Sequence, residues 1–285
     1  MSLVDDDINS AGSANRQDRR RPVGPRKTAC RFVVIGSPRT GSSHLTALIG
    51  KHRDILFNSA IFHEKKVWVH WPKPDLTAET LAELAALRAS DPDAFLERIF
   101  ETNYGRSVVG FKMFSHHDKQ AMAKILANPS IRKVVLYRRN VLSNYSSRLI
   151  ARAIGEHTFK ASDVRPERPL VHFDAADFIA FHDKYVGFYR YVVDTLVASG
   201  QTFHPLSYEE INDLGFLSNL ILYLGANPKA AKFESAVVKQ NPSDIASRFS
   251  NRADVEQFCR TSGFAHWLEE GETQFHPWST PARGN

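Results

Sequence analysis

The stretch RFVVIGSPRTGSSHLTALIGK, from Arg31 to Lys51, constrains this chain more than any other part of its sequence. The apolar run Phe32–Ile35 predicts a strand buried on both faces, and Leu45, Leu48 and Ile49 follow at helical spacing. Between strand and helix lies the loop GSPRTGSS. Such a loop aims several backbone N–H groups, together with the positive end of the helix dipole, at one point. It therefore predicts a site for a phosphate or a sulfate.

The spacing within this loop separates it from the nucleotide-binding loop of kinases and ATPases. Gly36 and Gly41 fit the pattern G-x-x-x-x-G-K-[ST], but Ser42 stands where that pattern has its lysine. The cation lies inside the loop instead, at Arg39. A glycine-rich connection that binds nothing is the alternative, so the hypothesis of an anion site needs a second motif.

That second motif is predicted where the β-rich run RKVVLY ends and the helical segment NVLSNYSSRLIA begins. Arg139 and Ser147 are eight residues apart, close to two helical turns plus the junction, so that both can face one phosphate. A guanidinium offers paired planar donors and the hydroxyl adds a third. Arg138 and Ser146 have the same spacing. We prefer Arg139 because it immediately precedes the helix.

The order of the predicted elements indicates an α/β protein with a three-layer, P-loop-like fold, in which helices flank a central parallel sheet. Strands are predicted at Phe32–Ile35, in SVVGFKMF and in RKVVLY, with helices between them. The aromatic stripe of Asp174–Ser199 is interpreted as core. Ligands of such sheets bind at the carboxyl ends of the strands. Arg39, the pair His116 and His117, and Arg139 should therefore share one edge.

Composition bounds the class of protein. The 285 residues are 42% hydrophobic and 24% charged, with a net charge of +6, which is typical of a globular protein with anionic partners. Residues 1–28 are predicted to be a disordered basic tail and residues 29–285 a single domain. Docking of the tail on an anionic membrane stays open. Two cysteines without C-x-x-C spacing and no long apolar run lead us to expect a cytoplasmic protein.

Both motifs resemble those of the sulfotransferases. The 5′-phosphosulfate loop of that family has the form P-[KR]-[ST]-G-[ST]-[ST], and the 3′-phosphate motif has arginine and serine at the spacing of Arg139 and Ser147. The stretch YEEI at 208–211 is similar to the family's Y-E-[DE]-L. The resemblance is closest to bacterial carbohydrate sulfotransferases of the nodulation-factor and lipopolysaccharide type. The matching loop residues are Pro38, Arg39, Thr40, Gly41, Ser42 and Ser43.

The resemblance implies transfer of a sulfuryl group from 3′-phosphoadenosine 5′-phosphosulfate (PAPS) to an acceptor hydroxyl on a carbohydrate or glycolipid, leaving 3′-phosphoadenosine 5′-phosphate (PAP). No metal is expected, since Arg39 supplies the cation. The segment KQNPSDIASRFSN resembles the family's C-terminal segment and suggests Lys239 as a further cofactor contact. A P-loop-type kinase and a non-catalytic binder of phosphorylated ligands are the alternatives. Nucleic acid is not expected, because aromatic residues do not interleave with the basic clusters.

The general base stays open at this point. The carbohydrate branch of the family often has a glutamate in a G-E-x-F stretch, where this chain has Ala60. Another branch has its base histidine after a lysine-bearing strand, a pattern that Lys112 fits. We therefore prefer His117 or His116, and then Glu64. A metal site among the histidines is disfavoured, because no pair has the helical i, i+4 spacing of known motifs.

Overall fold

The computed structural model describes residues 29–155, 168–230, 243–270 and 276. Its five strands form one sheet of order β2-β3-β1-β4-β5, and every neighbouring pair is parallel. The predicted α/β fold with a central parallel sheet is confirmed. The strands are β1 (Cys30–Gly36), β2 (Ile55–Phe57), β3 (Val108–Phe114), β4 (Ile131–Tyr137) and β5 (Phe203–Ser207).

Helices cover both faces of this sheet. The helices are α1 (Ser42–Ile49), α2 (Ala78–Ser90), α3 (Pro92–Glu101), α4 (Lys119–Ala127), α5 (Val141–Ile154), α6 (Ala175–Ala198), α7 (Leu214–Tyr223) and α8 (Arg252–Thr261). Residues of α1 and α7 pack on one face, and residues of the other six helices pack on the opposite face. Several helices have an N-cap whose side chain accepts a hydrogen bond from a backbone N–H of the helix, and these N-caps include Thr77, Asp118, Asn140 and Asp174.

Strand β1 lies at the centre of the sheet, and its side chains alternate between the two cores. Phe32 and Val34 face α1 and α7, whereas Val33 and Ile35 face the other layer. All four are buried, as the continuous apolar run predicted. A side chain at Gly110 of β3 would place its Cβ 2.3 Å from the Phe32 ring, so only glycine fits there.

Helix α6 carries the predicted aromatic core stripe, but two of its tyrosines also hold the ends of the central strands. The Tyr189 hydroxyl donates to the Leu136 carbonyl (2.6 Å) and accepts from the Ser37 N–H (2.9 Å). The Tyr185 hydroxyl donates to the carbonyl of Arg138 (3.0 Å) and accepts from the N–H of the same residue (2.8 Å). Burial raises the pKa of both hydroxyls, so they stay protonated as donors. The carboxyl ends of β1 and β4 are thereby fixed.

Some predictions lie outside the described residues. These are the basic tail at 1–28 and the cofactor contact at Lys239. Within the described part of the chain, no helix is long and apolar enough to cross a bilayer.

Candidate functional site

The loop between β1 and α1 has two residues in the left-handed backbone region. Gly41 has φ of 86°, and a Cβ there would lie 2.6 Å from the Tyr208 ring. Arg39 has φ of 68°, which is uncommon for a residue with a side chain and is found mostly where structure around it imposes the conformation. No side chain caps the N-terminus of α1 at Gly41. The first N–H groups of α1 are thus available for an anion.

The Arg39 side chain joins the two predicted motifs. Its Nε donates to the Ser147 hydroxyl of α5 (3.1 Å), and Asn144 of the same helix donates to the Pro38 carbonyl (3.2 Å). Burial, followed by the charge of Arg138, lowers the pKa of Arg39. An anion bound beside Arg39 would counteract both its burial and its repulsion by Arg138.

Arg139 lies beside the 208–211 stretch. Its guanidinium pairs with Glu210, and its N–H lies 3.4 Å from a Glu209 oxygen. Among the described residues, its buried Nε has no hydrogen-bond partner. The hydroxyl of Ser147 bonds to Arg39, so the sharing of one phosphate by Arg139 and Ser147 stays a prediction. The structure does place both residues at the β1–β4 edge, where that phosphate was expected.

A buried ion cluster lies next to this site, and it was not predicted from the sequence. Glu270 pairs with Arg138 (2.6 Å) and with Arg248 (2.8 Å), and these side chains are 7%, 4% and 1% exposed. Arg248 also donates to the hydroxyls of Ser143 (2.8 Å) and Ser146 (3.1 Å). Burial alone would raise the pKa of Glu270, but the two arginines and Ser143 lower it. Arg138 and Ser146, the alternative phosphate pair, are therefore held by the C-terminal segment.

His117, the preferred base, is buried. Its Nδ1 accepts from the Phe114 N–H (3.2 Å), and its buried Nε2 has no partner in the described part of the chain. Burial, and then the charges of His116 and His63, lower its pKa to about 3. The lone pair of Nδ1 already accepts this hydrogen bond, and the lowered pKa means that the ring is a weak base. These observations disfavour His117 as a base near neutral pH.

The other two candidates are more accessible. His116 is exposed and its ring centroid lies 4.8 Å from that of His117, while burial and the charge of His63 lower its pKa. Glu64 is exposed, and its negative charge raises the pKa of His116 in part. Ala60 is buried. No group of three or more potential metal ligands occurs among the described residues.

A cleft of about 450 Å³ opens beside α1 next to the loop, and it contains a residue that sequence reasoning left without a role. Lys112 of β3 is buried and its Nζ lies 3.5 Å from the Ser43 hydroxyl. Burial lowers the pKa of Lys112 to about 8. A lysine within the otherwise apolar strand FKMF was the signal that could have identified it. The cleft is lined by Ser43, Thr46, Ala47, Gly50, Lys51, Ser59, His70 and Lys112.

Comparison with known proteins gives similar relatives. No protein-family model matches the chain. Nodulation protein H of Rhizobium tropici is 24% identical over 253 residues, which cover 84% of this chain and 92% of that protein. A sulfotransferase from Alicyclobacillus acidocaldarius is 16% identical with a TM-score of 0.45, over 86% of this chain and 96% of that one. The sulfotransferase domain of the curacin biosynthetic pathway is 12% identical with a TM-score of 0.40, over 84% and 99%.

The match to a nodulation protein spans nearly the whole of both chains. It agrees with the type of sulfotransferase that the Arg39 loop and the Arg139 motif resemble. The predicted resemblance is confirmed.

Proposed function

We propose that this protein transfers a sulfuryl group from PAPS to an acceptor hydroxyl on a carbohydrate or glycolipid. The observation that carries the proposal is the contact between Arg39 and Ser147. It brings the predicted 5′-phosphosulfate loop and the predicted 3′-phosphate helix together at one edge of the sheet. A donor with phosphates at both ends needs two anion sites at such an edge.

The residues present fit this donor. Three arginines lie at the edge: Arg39, Arg139 and the buried Arg138. The first N–H groups of α1 have no side-chain cap. Among the described residues, the Nε of Arg139 also has no acceptor. When bound, PAPS would supply an activated sulfuryl group. Two anchored phosphates would fix its orientation for an in-line transfer.

The chain's own residues would stabilise the charge that develops in the reaction. Negative charge builds up on the leaving phosphate oxygen, and Arg39 with the hydroxyls of Ser42 and Ser43 can stabilise it. The Thr40 hydroxyl is buried and donates to the Ser37 carbonyl (2.7 Å), so it shapes the loop instead. Lys112, beside Ser43, adds a second cation close to the loop. The acceptor hydroxyl must also lose a proton to a base.

The cleft beside α1 supports a polyhydroxylated acceptor. Its described lining consists of hydroxyl, amine, imidazole and small side chains, with no large apolar side chain among them. Such a surface hydrogen-bonds a sugar better than it covers an apolar ring. The carbohydrate acceptor otherwise rests on the resemblance to the nodulation type. The kinase alternative is disfavoured by Ser42, which stands in place of the phosphate-binding lysine.

Calorimetric titration tests this proposal. PAP without metal, and ATP with Mg²⁺, are titrated into the wild type, Arg139→Ala, and the control Arg190→Ala at an exposed position of α6. We expect metal-free PAP binding that weakens at least about tenfold in Arg139→Ala, the loss expected for a charged hydrogen bond, and stays unchanged in Arg190→Ala. Binding of ATP with Mg²⁺ but not PAP would favour the kinase. Binding of PAP without any release of sulfate from PAPS would favour the non-catalytic binder.

A further inference from the structure

His70 is fixed at the carboxyl end of β2 by two hydrogen bonds. Its backbone N–H donates to the Asn58 side chain (3.0 Å), and its ring Nδ1 lies 2.7 Å from the Phe57 carbonyl oxygen. Asn58 is itself fully buried, and its N–H donates to the Gly110 carbonyl of β3 (2.7 Å). The ring is therefore held by the edge of the sheet although the residue is exposed.

These contacts determine which ring nitrogen carries the hydrogen. A carbonyl oxygen can only accept, so Nδ1 of His70 must be the donor. In the neutral ring the lone pair then belongs to Nε2, and the tautomer follows from the hydrogen bond. His117 has the opposite arrangement, because its Nδ1 accepts from a backbone N–H. Of these two histidines, only His70 has its lone pair on the nitrogen that no protein group fixes in the described structure.

The sheet register places His70 close to Lys112 of β3 and to the loop after β1. Phe57 pairs with Gly110, and Lys112 lies two residues further along β3, about 7 Å at the usual strand rise. The Lys112 N–H donates to the Ser59 carbonyl (3.1 Å), so the chain after β2 continues alongside β3. His70 and Lys112 both line the cleft, and Ser43 of the phosphosulfate loop lines it with them.

We propose that His70 is the general base that deprotonates the acceptor in this cleft; the inference rests on the proposed function. Nε2 takes the proton as the acceptor O–H bond breaks. The acceptor oxygen forms a bond to sulfur while the bond from sulfur to the 5′-phosphate oxygen breaks, and its electron pair leaves on that phosphate. The charged groups that line the cleft are Lys51 and Lys112, and both stabilise the negative charge developing on the acceptor oxygen.

The tautomer can be tested without any ligand. Protein labelled with ¹⁵N-histidine is examined by long-range ¹H–¹⁵N NMR at a pH where the ring is neutral, and His70→Asn identifies the His70 signals. We expect hydrogen on Nδ1 and none on Nε2. The reverse assignment would overturn the proposal, because Nε2 would then have no lone pair to accept a proton.

The kinetic test uses PAPS with water as the acceptor, a probe that needs no identified glycan. His70→Asn keeps a side-chain N–H for the Phe57 carbonyl but has no basic nitrogen. We expect it to fold, to bind PAP as the wild type does, and to release sulfate at least about 100-fold more slowly. Added imidazole should restore part of the rate in His70→Ala, since the position is exposed.

The control is His172→Asn, which removes an exposed histidine that does not line the cleft and should change the rate less than about threefold. His116→Asn tests the alternative base directly. A wild-type rate in His70→Asn, or a loss confined to His116→Asn, overturns the assignment of His70. A wild type that binds no PAP refutes the proposed function itself, and the two failures are thus distinguished.

Discussion

The two sides of the site keep cations and bases close to the same sheet edge by opposite means. The arginine side relies on carboxylate partners, whereas the histidine side includes buried groups that can become neutral. On the arginine side, guanidiniums meet carboxylates: Arg138, Arg139 and Arg248 against Glu209, Glu210 and Glu270. The histidine side consists of His63, His70, His116, His117 and Lys112, of which His117 and Lys112 are buried.

This difference shows which protonation states each side can use. A buried guanidinium cannot lose its proton, so its desolvation must be offset by a carboxylate and by hydrogen bonds. A buried imidazole or amine can become neutral instead, and burial lowers the pKa of Lys112 to about 8 and that of His117 to about 3. The arginine side is thus suited to holding a permanent anion, whereas the protonation of Lys112 and His117 depends on the pH.

The largest effect is expected where the arginine side depends on one carboxylate. Glu270→Ala leaves Arg138 and Arg248 buried without their shared partner, which should lower the free energy of unfolding by about 3–5 kcal/mol. Urea denaturation measures it. Lys124→Ala, which removes an exposed ion pair with Asp93, should cost no more than about 1 kcal/mol. Equal losses in both variants would contradict the distinction between buried and exposed pairs.

Arg39→Ala tests the function of the same side. Removing the charge that faces the leaving phosphate should lower the rate of sulfate release from PAPS by about 10²–10³-fold. The thermal midpoint should change less than in Glu270→Ala, since the Arg39 side chain donates to a hydroxyl, that of Ser147. Arg39→Lys is the matched control and should recover part of the rate through its charge. A rate within threefold of the wild type would remove Arg39 from the proposed mechanism.

Tyr189→Phe tests how α6 holds the carboxyl ends of β1 and β4. The substitution leaves the Ser37 N–H and the Leu136 carbonyl buried without the hydroxyl, at a cost of about 1–3 kcal/mol in unfolding free energy. PAP affinity, measured by calorimetry, should fall as well, because the β1 loop loses its attachment to α6. Tyr191→Phe is the control at an exposed position of the same helix. Unchanged stability would show that the hydroxyl does not hold the strand ends.

The smallest effect comes from the histidine side and depends on pH. The folded pKa of His117 is about 3 and the usual value is 6.5, so the unfolded state binds more protons between these values. Stability is present above pH 6.5 and is lost as the pH falls. At pH 5.5 the wild type should have lost about 1.4 kcal/mol that His117→Gln does not lose. Parallel urea curves at pH 7.5 and 5.5 measure this, and equal losses would contradict the lowered pKa.

Much of the fold followed from local patterns. The apolar run of β1, the helical spacing of α5 and α6, and the caps Thr77, Asp118 and Asn140 were all readable, because each depends on residues within one or two turns. The Arg39 loop was equally local. His70 was not predicted, since its bond to Phe57 spans 13 positions within an irregular segment and no periodicity indicates it.

The parallel α/β architecture, the anion loop and the resemblance to the sulfotransferases can all be read from short-range spacing along the chain. The pairing of the charges depends instead on how distant segments pack. Arg138 meets Glu270 132 positions away, and Arg39 meets Ser147 108 positions away. The tertiary structure also decided that His117 is buried while His70 faces solvent at the cleft. The physical reason is that burial and ion pairing are set by packing between distant segments, which local composition does not specify.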